Sequence, residues 1–142
     1  MNTRTFAIIF GVVFLIVGVG GFIPALTPMG GMNMGPDAEV HMTTMFGYEL
    51  KLFPVNVLHD VVHILFGIWG LLAARSLGGA RAYFRGVAII YAVLTVMGFI
   101  PPLNTTFGLI PLYGNDIWLH ALLAIVAAYF GWMNRDTAGT AA

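Results

Sequence analysis

Four stretches of this chain stay apolar long enough to cross a lipid bilayer, and nothing else in the sequence constrains the fold as strongly. A helix rises about 1.5 Å per residue, so about 30 Å of hydrocarbon takes roughly 17 to 25 mainly apolar residues. The stretches run from residue 6 to about 23, from about 53 to 74, from about 83 to 100 and from about 117 to 133. Lipid offers no partner to an open backbone, so each reads as a helix. Of 142 residues, 59% are hydrophobic and 8% charged, whereas about a quarter are charged in an average soluble domain. The expected class is therefore an all-α integral membrane protein, a four-helix bundle forming a single transmembrane domain.

Charge placement orients the bundle. Arg4 precedes the first span, Arg75, Arg81 and Arg85 surround the link between the second and third, and Arg135 follows the fourth; Lys51 alone falls on the opposite side. The positive-inside rule then puts both termini and the short middle loop in the cytoplasm, and Asp37, Glu39 and Glu49 outside. The expected location is the inner (plasma) membrane, multi-pass, N-in and C-in. The first span is longer than a signal-peptide core of about 7 to 15 residues and no A-x-A site follows it, so it is expected to remain in the protein. Six Lys plus Arg balance six Asp plus Glu, which leaves no basic footprint for nucleic acid. With no Cys there is no disulfide, iron-sulfur cluster or thiol nucleophile; a metal would use His, Asp, Glu, Met or a carbonyl.

The sequence compared with itself shows a duplication. GFIPAL at residues 21–26 returns as GFIPPL at 98–103, a shift of 77 that also pairs Arg4 with Arg81 and Phe6 with Tyr83. A shift of 61 pairs Leu58 and His59 with Leu119 and His120. Spans one and three match, and so do spans two and four. The chain thus reads as two tandem-duplicated helical hairpins, repeat 1 over about 3–76 and repeat 2 over about 80–135, with a tail at 136–142. Their two-fold axis would run along the membrane normal. A Met-rich insert at about 27–42 in the first outer loop accounts for the 16-residue difference between the shifts.

The runs FGYELKLFPVNVLHDVVHILFGIWGLLAARS, ARAYFRGVAIIYAVL and FGLIPLYGNDIWLHALLA resemble a bacterial family of small four-helix membrane proteins known as domain of unknown function four-three-eight-three. The most specific parts are Pro-x-Asn-x-x-His, here Pro54, Asn56 and His59, and Asn-x-x-x-x-His, here Asn115 and His120. The resemblance implies architecture and brings no reaction or cofactor.

Chemistry-bearing residues cluster near the outer end. Asn56, His59, Asp60 and His63 stand at i, i+3, i+4 and i+7, on one face of the second span. Ionisable groups inside a membrane are costly and turn inward, which makes them candidates for function. A purely structural reading has Asn56 and Asp60 serving the helix start while the histidines hydrogen-bond to loop carbonyls. The competing reading starts from His59 and His120, which are equivalent in the repeat and expected at equal depth. Two such imidazoles would ligate a haem iron, oriented by Asn56, Asp60, Asn115 and Asp116, or would join Asp60, His63 and Asp116 around a small metal ion. In the insert, Met29, Met32, Met34 and His41 would suit a soft ion such as Cu(I), or would simply pack a pliable loop against the interface or a partner.

Three functions compete. A structural or accessory subunit, packing with itself or with other membrane-protein subunits, needs no cofactor and is the leading expectation. A haem- or metal-binding protein using His59 and His120 is the alternative. A transporter needs a polar path, and the inner halves of the spans, residues 67–74 and 122–132 for example, are almost wholly apolar. No catalytic motif is present, so an enzyme is not the expectation.

Overall fold

A computed structural model describes residues 2–28 and 47–136. Among the described residues four α-helices make up the bundle: α1 Thr3–Gly20, α2 Val57–Ala73, α3 Leu77–Gly98 and α4 Asn115–Ala128, the last extended by a π-helical turn, Tyr129–Met133. Three of the helical segments, Thr3–Gly20, Leu77–Gly98 and Asn115–Met133, are long and apolar enough to cross a membrane; Val57–Ala73 is apolar but has 17 residues. A small antiparallel hairpin precedes α2, with β1 Gly47–Glu49 paired to β2 Phe53–Val55. Insert residues 29–42, including Met29, Met32, Met34 and His41, lie outside the described residues, as do tail residues 137–142.

The second span therefore begins later than its hydropathy suggests. Pro54 has no N–H to donate, and Asn56 accepts a hydrogen bond from the His59 N–H at 2.9 Å, capping α2 at its start. The middle loop is correspondingly short. Ser76 caps α3 through the Gly79 N–H at 3.0 Å, so Arg81 and Arg85 lie within the helix.

α1 packs along α2 and α3 along α4, and α3 touches both helices of the first pair. Glycines allow the first close approach: a Cβ at Gly11 would stand 2.9 Å from the Gly67 carbonyl oxygen, and one at Gly67 2.6 Å from Leu15 Cγ. Such contact between backbones is how helices associate where lipid supplies no hydrophobic drive. Toward the termini the core is aromatic: Phe84 and Phe130 stack at 5.1 Å and Phe6 and Phe130 at 4.3 Å.

Charges at the termini end satisfy helix ends. Asp136 accepts hydrogen bonds from the Thr3 N–H at 2.6 Å and the Thr3 hydroxyl at 2.8 Å, serving one of the donors that the first turn of α1 leaves unpaired. Arg4 Nε donates to the Ala74 carbonyl and Arg85 Nε to the Gly131 carbonyl, both at 2.8 Å. Cations at helix C-termini are favoured by the dipole as well as by the hydrogen bond.

Candidate metal centre

The first two turns of α2 and the first turn and a half of α4 carry polar side chains into the centre of the bundle. Asn56 fixes the start of α2: its Oδ1 accepts from the His59 N–H, and its Nδ2 donates to the Leu109 carbonyl at 2.7 Å. Helix and distal loop are thereby tied together. One turn on, His59 and His63 project from nearly the same side of α2, their ring centroids 4.5 Å apart. The His59 ring hydrogen-bonds to the backbone of Pro54.

From α4, His120 meets His59 at a centroid distance of 6.1 Å. Asp116 lies one turn before it, with Oδ2 3.4 Å from His120 Nε2. That contact is too poorly aligned for a hydrogen bond, because Asp116 Oδ2 is left without one. His59, Asp116 and His120 each offer a ligand atom within 4.8 Å of the other two. All three are at most 3% exposed.

Two aromatic residues enclose the group. Phe14 of α1 stacks on His63 at 5.8 Å, and Tyr91 of α3 meets His120 edge-on at 4.8 Å. They stand 5.7 Å from each other. Sequence reading missed both, although the shift of 77 pairs Phe14 with Tyr91, and a Tyr well inside an apolar span needs a partner for its hydroxyl.

The remaining site candidates lie apart from the cluster. Asp60 is buried, but its carboxyl presses against Gly21, on the α1 side, and feels the charge of Glu49. Adjacent residues on a helix point about 100° apart, so His59 and Asp60 cannot face the same neighbour. Asn115 is exposed and donates to the Leu52 carbonyl at 3.3 Å. Glu49, in β1, is buried beside Gly20, and burial pushes its carboxyl up to about 7.

The cluster is unusual in how little of it is satisfied. The Nδ1 atoms of His59, His63 and His120, with Asp116 Oδ2, are buried without a hydrogen-bond partner. Buried polar groups nearly always have one, and each exception calls for an explanation. Two imidazoles and a carboxylate form a donor set suited to zinc or to non-haem iron(II). With bonds of about 2.0–2.1 Å, tetrahedral ligands stand about 3.4 Å apart, the separation already held by His120 and Asp116.

The family model described as Domain of unknown function (DUF4383) matches residues 4–133. No curated protein and no solved structure matches the chain.

Proposed function

Since the chain belongs to the DUF4383 family, whose description carries no activity, its own side chains must suggest its function, and we propose that it is a membrane metal-binding protein. His59, Asp116 and His120 hold one divalent transition ion, with His63 available as a fourth ligand. The observation that carries this reading is the convergence of three buried side chains from two helices, His59, Asp116 and His120, whose ligand atoms lie within 4.8 Å of one another beside polar atoms that have no hydrogen-bond partner. An ion would satisfy nitrogen and oxygen together; leaving them unpaired would cost about 1–3 kcal/mol for each group.

The setting we propose is the inner membrane, with all four helices spanning and both termini in the cytoplasm. Support comes from Arg4, Arg81, Arg85 and Arg135 at the termini end, and from large apolar side chains on the outer surface, such as Ile16, Leu65 and Ile125, each more than half exposed. The hairpins α1/α2 and α3/α4 are read as tandem copies. That relation supports a centre on the approximate two-fold axis, since His59 and His120 correspond.

A structural or accessory role rests only on the apolar outer surface, which lipid alone would cover. Haem at the same histidines fits less well than a small ion, because a macrocycle between His59 and His120 would have to displace Phe14 and Tyr91. Elemental analysis of the protein extracted gently from its native membrane tests the proposal. About one transition ion per chain is expected, falling at least tenfold in His59→Ala and His120→Ala. Protein that is metal-free and takes up neither Zn²⁺ nor Fe²⁺ would overturn it, and a Soret band would move the assignment to haem.

A further inference from the structure

The end of α1 is served unlike the ends of α2 and α4. Arg4 donates to the Ala74 carbonyl and Arg85 to the Gly131 carbonyl, each placing a cation where the helix dipole is negative. At the end of α1 stand two carboxyl groups instead. A Cβ at Gly20, the last residue of α1, would stand 2.6 Å from Glu49 Oε1, and one at Gly21, the next residue, would overlap the Asp60 carboxyl. Consecutive glycines thus leave room for both acids. Glu49 is 6% exposed and Asp60 1%, and Asp60 Oδ1 is buried without a hydrogen-bond partner.

Among the described residues neither acid has a cationic partner, since the ion pairs there join Arg81 to Asp136 and His120 to Asp116. Lys51, on the exposed turn two residues beyond Glu49, pairs with neither. Two acidic side chains and the negative end of a helix share one spot, and burying a charge without a partner is costly. The arrangement is confined to the first half of the sequence. Under the shift of 77 Gly20 aligns with Met97, and under the shift of 61 Glu49 aligns with Ile110 and Asp60 with Ala121. Both carboxyls and the room for Glu49 are therefore missing together from the second half, which keeps the helix end and the GFIP run.

We infer that Glu49, Asp60 and the carbonyl end of α1 bind a hard divalent cation of the calcium class. Two carboxylates match the charge of a divalent ion, whereas a monovalent ion would leave one negative charge buried. Every donor at hand is an oxygen, the set that hard cations take, while imidazole suits transition ions. Calcium accepts about 6–8 oxygens in irregular geometry, carbonyls and waters among them, whereas magnesium demands a near-ideal octahedron. The turn beside Glu49, with Leu50 59% exposed, gives access from water. The inference stands apart from the histidine centre, because Asp60 faces α1 and the histidines face the middle of the bundle.

The test is equilibrium dialysis of Ca²⁺ against the full chain in nanodiscs of zwitterionic lipid at pH 8, where Glu49, pushed up to about 7 by burial, is ionised. Saturable binding of one Ca²⁺ per chain is expected. Glu49→Gln and Asp60→Asn each weaken it at least tenfold, and Asp136→Asn, at the opposite end of the bundle, leaves it intact. Transition-metal content, measured on the same samples, is unchanged in Glu49→Gln. Should Asp60→Asn fail to fold, Gly20→Ala replaces it, since the added methyl displaces the Glu49 carboxyl and weakens binding likewise. No saturable uptake, as for a pair of acids that holds only protons, overturns the inference. So does binding that survives Glu49→Gln, or that falls only where transition-metal content falls with it.

Discussion

Glu49 and Asp136 stand at opposite ends of the bundle, and their carboxyls are pushed in opposite directions. Burial raises Glu49 from 4.5 to about 7. Below about 4.5 folded and unfolded chains both hold the proton, so this group costs nothing. Between 4.5 and about 7 the unfolded chain ionises first, and stability falls as pH rises. The melting temperature in detergent is therefore expected to drop between pH 5 and pH 8, and Glu49→Gln to flatten that slope; an unchanged slope would show that Glu49 is not the group responsible. For Asp136 partial burial alone would raise the carboxyl, but hydrogen bonds from Thr3 and the charge of Arg81 outweigh it and hold the group below 3.8. Its contribution is present above 3.8 and lost as pH falls through the folded value. Removing a cap costs about 0.5–2 kcal/mol, so Asp136→Ala is expected to destabilise by about 1 kcal/mol at pH 7 and by less in acid, measured by chemical unfolding at both pH values.

At the scale of elements, the α1/α2 contact depends on glycines that leave no room. Gly67→Val would drive a branched side chain into Leu15, and overpacking of this kind costs about 1–3 kcal/mol; a lower melting temperature than wild type is expected. Gly78, near the start of α3, has nothing within 4 Å of a built Cβ. Gly78→Ala is therefore expected to be neutral or to stabilise by up to about 1 kcal/mol through helix propensity. Equal effects at the two positions would contradict the packing described. The helices themselves were legible from hydropathy alone. Their ends were not, because a cap is one side chain whose effect shows only once its partner N–H is placed: Asn56 cuts the second helix short and Ser76 starts the third early. The β-hairpin was hidden as well. Its strands are three residues each, one includes Pro54, and its turn carries Leu50 and Lys51 at φ of 51° and 61°, where Gly or Asn would have signalled a turn.

At the scale of the whole molecule, the sequence brought out the histidines through self-comparison, since a shift of 61 pairs His59 with His120, and the two rings do meet. The same comparison could not sort the polar stripe of α2. Asn56, His59, Asp60 and His63 share a face in projection, yet the stripe spans enough arc for His59 and His63 to turn to the centre while Asp60 turns to α1. Asp116 aligns with Val55 under that shift, so the repeat did not single it out, and the sequence left it either joining an ion or orienting the imidazoles; its place beside His120 depends on the turn of α4 between them. The arginines carry meaning at this scale too: the proposed orientation rests on their charge, and Arg4 and Arg85 also serve carbonyls near the ends of α2 and α4.

X-ray absorption at the metal edge, on protein purified from its native membrane, tests the central claim most directly because it reads the ligands of the ion. Two imidazoles and a carboxylate oxygen at about 2.0–2.2 Å are predicted, with imidazole scattering reduced in His120→Ala and the oxygen shell altered in Asp116→Asn. A spectrum with no imidazole contribution, or one unchanged in both variants, would contradict the account.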